Sequence, residues 1–158
     1  MRDAALKVIR PAHVWRRIAW PKTDGVFGAS RKLARHLAGC HAAYLACGTL
    51  GTGFDALLRR VSVKSATDTL VLQAVGTAAI EEWMDGIEEA IRAELAPGET
   101  LVRRYSPGYG DFSLSAQREL LGLLDSSRTV GVSLTDTLLM APSKSVSAVI
   151  GVKMENSK

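Results

Sequence analysis

One long stretch constrains the fold more than any other part of the chain. Ser65 or Thr67 can cap a helix, and no proline interrupts the residues that follow as far as Leu95. Pro97-Gly98 then closes it. From Leu70 to Ile80 this helix is apolar or small on every side, which predicts a central, buried position. Ala74, Gly76, Ala78 and Ala79 allow close approach of neighbours. Its second half is amphipathic, with Ile80, Trp83 or Met84, Ile87, Ile91 and Leu95 stepping by three or four. Glu81, Glu82, Asp85, Glu88 and Glu89 fall mostly on the opposite side, where they are expected to face water, with Glu88 and Arg92 as an ordinary i,i+4 pair.

The remaining elements are shorter. His13 to Trp20 alternates loosely and is aromatic, which favours a strand, and Pro21 and Asp24-Gly25 mark a turn. Ser30 can cap a helix through about Ala38, with Leu33 and Leu37 inward and Gly39 ending it. Ala42 to Cys47 reads as a buried strand. The Gly48-Thr49-Leu50-Gly51-Thr52-Gly53 run that follows matches neither dinucleotide nor Walker spacing, so a tight strand-to-helix turn is preferred over a phosphate cradle. A helix from about Phe54 to Val61 comes next. After the long helix, Thr100 to Arg104 reads as a strand, and Ser113 or Ser115 caps a helix through Leu124 with Leu120, Leu121 and Leu124 inward. Thr129 to Ser133, Thr137 to Met140 and Ser145 to Val152 read as three further strands, and Met154 to Lys158 as a frayed tail. The pattern predicts one α+β domain over residues 1–158, a twisted, mostly antiparallel sheet packed by the long central helix.

Composition narrows the function classes. Apolar residues make up 47% of the 158, enough for a real core, and the net charge is a modest +4. The basic residues come in scattered pairs rather than one run, which argues against nucleic acid as a partner. Cys40 and Cys47 fit no zinc pattern and read as two buried small side chains. No apolar run is long enough to span a bilayer and no signal peptide is evident, so no membrane is expected and the location is read as cytoplasmic. His13, His36 and His41 lie on unrelated elements, none at metal-ligand spacing, and there is no nucleophile elbow. Neither a catalytic residue nor a metal site is predicted.

One stretch has residues suited to a ligand rather than a core: Arg103-Arg104-Tyr105-Ser106-Pro107-Gly108-Tyr109-Gly110-Asp111. Pro107 pre-sets φ and Gly108 can take the positive φ that a type II turn requires next. The turn sets Arg104, whose planar fork recognises carboxylates, near Tyr109, which offers a flat face and a hydroxyl. The bland reading of Arg104 is a surface ion pair with Asp111 or Glu99. Arg104 to Tyr109 resembles the Arg-x-x-x-Gly-Tyr segment of the activation domain of cobalamin-dependent methionine synthase. Met140-Ala141-Pro142-Ser143-Lys144-Ser145-Val146-Ser147 resembles that family's Met-x-Pro-x-x-Ser-Val-Ser. From Arg104 to Gln117 the chain is similar to the free-standing, single-domain relatives.

The resemblance implies a site for S-adenosylmethionine at Arg104, Ser106, Gly108 and Tyr109, with the Ser106 backbone on an adenine edge. Lys144 is placed within reach of the ligand carboxylate or a corrinoid side chain. It also implies the role of a reactivation subunit. Cobalamin is carried by a corrinoid-dependent methyltransferase, a short methionine synthase. A flavodoxin-like or ferredoxin-like donor reduces the stalled Co(II), and the methyl of S-adenosylmethionine traps the reduced cobalt. The chain would be at most an accessory part of that enzyme. Three departures from the family pattern stand out. The N-terminal helical segment of free-standing members is read as short or divergent over residues 1–27. No acidic residue early in the chain matches the one that holds the ligand's amino group. Ala148-Val149-Ile150-Gly151, without an aromatic, follows Ser147. The alternative is a binding or scaffold module that keeps the fold without the ligand.

Overall fold

The computed structural model describes residues 1–156; Ser157 and Lys158, the end of the expected frayed tail, lie outside the described residues. Strand β2 (Ala42–Thr49) is buried along its whole length. It pairs antiparallel with β1 (Ala12–Ala19) on one side and β6 (Ser145–Met154) on the other, and β3 (Glu99–Leu101) adds to the far edge of β6. The strand order is β1-β2-β6-β3. Side chains alternate across a strand, so β2 feeds two cores. On one face Ala43, Leu45 and Cys47 join Phe27 of α2 (Gly25–Gly28), Leu33 of α3 (Arg31–His36) and Leu120 of α6 (Ala116–Leu124), together with Leu37 and Phe112. On the other, Ala42, Tyr44 and Ala46 meet Met84, Ile87 and Ile91 of α5 (Ala66–Arg92). A Cβ at Gly48 would lie 2.8 Å from the Met84 sulfur and 2.9 Å from Ile87 Cδ1, so the strand carries a glycine where α5 crosses it. The α+β architecture, with an antiparallel sheet and a long central helix, is as expected.

The glycine run at the end of β2 leads through a structural turn into the next helix. Gly51, at φ 84, precedes α4 (Thr52–Ser62), and a Cβ at Gly53 would sit 2.3 Å from the Val8 carbonyl oxygen. The run therefore admits the end of α1 (Arg2–Val8), a helix in the region read as short or divergent. Ala5 of α1 packs with Phe54 and Leu72 in a satellite core.

Four other features differ from expectation. The first half of α5 is not buried all round: Leu72, Gly76 and Ile80 are, but Leu70 is 72% exposed because α1 and α4 cover one side of these turns and leave the other open. Of the strand expected over Thr129 to Ser133 only Ser133 pairs, as the start of β4 (Ser133–Leu134). Asp125 ends α6 at φ 49, the short helix α7 (Ser126–Thr129) follows, and the Ser126 hydroxyl donates to the Val132 carbonyl at 2.8 Å. Thr137 to Met140 is mostly a turn closed by Thr135 N–H to the Leu139 carbonyl, leaving β4 (Ser133–Leu134) paired with β5 (Met140–Ala141). Met154, expected in the tail, ends β6 opposite Glu99.

Glu99 clamps one end of the sheet. Its carboxylate accepts from Arg17 at 2.7 and 3.1 Å, from His41 Nε2 at 2.8 Å and from the Ala96 N–H at 3.0 Å. The Arg17 bonds, then the Ala96 N–H and His41, lower its pKa to about 2. A depressed carboxylate pKa contributes stability that is present above the unfolded value and lost as pH falls through the folded one. Urea unfolding at a series of pH values should therefore show stability falling between about pH 4.5 and 2. Glu99→Gln should be less stable at neutral pH and should flatten that slope; an unchanged slope would mean the clamp carries no linkage.

Candidate functional site

The chain leaves β3 and rejoins the sheet once, where Tyr105 bridges Val149 of β6. Arg104, just before that bridge, turns toward α5. Its Nη1 donates to Asp85 at 2.7 Å and Glu88 at 3.1 Å, and its Nη2 donates to Glu81 at 2.6 Å. These acids stand at helical spacings of four and three, so one stripe of α5 presents all three. Burial alone would lower the Arg104 pKa, but the bonds to Asp85, Glu88 and Glu81 outweigh it and raise it. The guanidinium side chain is 18% exposed and stays charged. Three of its five donors are engaged by the described residues.

The turn beyond Arg104 is anchored from both ends. Gly108 sits at φ 97, in the left-handed region, and its N–H donates to the Phe112 carbonyl at 2.7 Å. Asp111 accepts from the Ser30 hydroxyl at 2.5 Å and from the N–H groups of Arg31 and Lys32, so it fastens the turn to the start of α3. The Ser30 bond first, opposed by burial and aided by the Lys32 and Arg31 N–H groups, holds the Asp111 carboxyl below its usual range. Tyr105 lies between His36 and Phe112, with ring centroids 5.0 and 6.1 Å away. His36 Nε2 donates to the Arg103 carbonyl at 2.6 Å.

A cavity of about 680 Å³ opens between the turn, the acidic stripe of α5 and the start of β6. That volume suits a small organic ligand. Arg104, Ser106 and Tyr109 line it, together with Glu81, Asp85 and Glu88. Tyr109 is 66% exposed and forms the rim. Gly108 shapes the turn without lining the wall. Lys144 also lies outside the wall: its ammonium donates to Thr77 Oγ1 at 3.1 Å, and burial lowers its pKa against the opposing charge of Asp55.

Contrary to the sequence expectation, Glu81, Asp85 and Glu88 hold Arg104 rather than simply facing water, and Arg92 pairs with Glu89 instead of Glu88. Neither Asp111 nor Glu99 pairs with Arg104, because each is committed elsewhere. The spacing of the acids was readable; that Arg104 lands opposite them depends on the strand pairing. Gln117, also in the wall, carries no local sequence signal that marks it as a site residue.

A family model described as vitamin B12 dependent methionine synthase, activation domain, matches residues 76–158. The fold is similar to a crystal structure of the MetH reactivation domain bound to AdoHcy, with a TM-score of 0.62 and 22% identity over 74% of this chain. The chain spans 41% of the length of that one. A comparison with curated proteins finds no match. The matched residues hold the second half of α5, the turn and β6, and the chain belongs to the family of the activation domain of vitamin B12 dependent methionine synthase.

Proposed function

We propose that the chain binds S-adenosylmethionine in the cavity beside Arg104 and acts as a reactivation subunit for a corrinoid-dependent methyltransferase. The observation that carries this reading is the ligand-sized cavity of about 680 Å³ that Arg104, Ser106 and Tyr109 line together. S-adenosylmethionine bears a sulfonium, an ammonium and a carboxylate. The three acids supply negative field for the two cations, and the unengaged donors of Arg104 suit the carboxylate. Gly108 shapes the turn that presents its neighbours, Ser106 offers backbone groups to the adenine, and Tyr109 offers a ring to stack on. Lys144 takes no ligand contact in this reading. The AdoHcy held by the structurally similar MetH domain supports the same ligand class.

The chain's own part is orientation and exclusion of water, which requires no general acid or base. The cobalt belongs to the partner, and the electron comes from a flavodoxin-like or ferredoxin-like donor. A second reading, a scaffold module without the ligand, is favoured by the engagement of Arg104 with protein carboxylates and by the lack of an aromatic after Ser147.

A reactivation assay separates the two. A Co(II)-stalled corrinoid methyltransferase given reductant and S-adenosylmethionine should regain turnover when the chain is added; equal recovery without it would leave the scaffold reading.

Arg104→Lys keeps the charge but loses the planar fork, and one ammonium cannot span three carboxylates. With a charge-assisted bond worth about 1.5–3 kcal/mol, calorimetry should show S-adenosylmethionine affinity falling roughly ten- to hundredfold. Unchanged affinity would remove Arg104 from the site.

A further inference from the structure

Gln117 lies in the first turn of α6 and lines the same cavity, yet it is only 4% exposed. Its amide nitrogen donates to the Leu138 carbonyl at 3.3 Å. A carbonyl only accepts, so this bond decides which end of the amide is nitrogen. Leu138 itself sits at φ 64, a conformation leucine rarely adopts, in the turn closed by Thr135 and Leu139. The amide oxygen is then left over. Among the described residues it is the buried side-chain polar atom with no hydrogen-bond partner. Such an acceptor is costly to leave unpaired, and the residue that carries it lines a ligand-sized cavity.

We infer that Gln117 Oε1 is a specificity-determining acceptor for the exocyclic amine of an adenine-type base. The inference rests on the S-adenosyl reading above. A neutral amide oxygen suits a neutral N–H donor, whereas a cation finds three carboxylates on the α5 wall. Leu114 and Met140, also in the wall, give a flat heterocycle apolar contact. A 6-oxo base in the same place would set its carbonyl oxygen against Oε1, two acceptors with no proton between them.

Calorimetry with S-adenosylhomocysteine and S-inosylhomocysteine tests this on the full chain. Wild type should prefer the adenosyl compound by about ten- to a hundredfold. Gln117→Met, similar in length but without the acceptor, should lose most of that preference by weakening the adenosyl compound alone. Gln117→Leu serves as a second apolar variant, and melting temperatures check that both fold. Equal binding of the two compounds by wild type, or full preference kept by a folded variant, would overturn the inference. If wild type binds neither compound, the S-adenosyl reading itself fails and the inference falls with it.

Discussion

Strand β2 has no wet face, and the rest of the molecule follows from that. A strand buried on both sides needs a layer of helix on each, so α5 must cross one face while α3 and α6 cover the other. Small residues let the layers close: Ala42, Ala46 and Gly48 on the α5 side, Ala43 and Cys47 on the other. Burial pushes the Cys47 thiol up to about 12, consistent with an inert packing role. With α5 pinned by Met84, Ile87 and Ile91, its neighbouring stripe of acids is fixed beside the end of β3.

Arg104 meets those acids as the chain leaves β3. A mostly buried guanidinium requires partners, and here they come from a single helix. The pairing ties the turn to α5, while Asp111 ties the same turn to α3. The cavity thus lies between two anchored walls, lined by charge of both signs and by Gln117. A rigid frame of this kind is what positioning chemistry requires.

Much of this was legible in the sequence. The period of α5, the buried strand β2, the Ser30 cap and the Pro107-Gly108 turn follow from local rules, and all four occur. The illegible parts depend on contacts distant in sequence. Thr129 to Ser133 has strand composition, yet the left-handed Asp125 starts a short helix through Thr129, the Ser126–Val132 bond closes the turn after it, and only Ser133 joins a strand. Acids on a helix read as solvated until the segment after β3 delivers an arginine to them. The Gln117 amide gave no local signal, since its orientation is set by Leu138.

The proposed reactivation role requires that the cavity beside Arg104 take S-adenosylmethionine. The most direct measurement is an amide-resonance NMR titration of the labelled chain with that compound. Saturable shifts are expected, centred on residues 104–109 and on the first turn of α6. Absence of shifts at saturating ligand, or shifts confined to α1 and α4, would contradict that role.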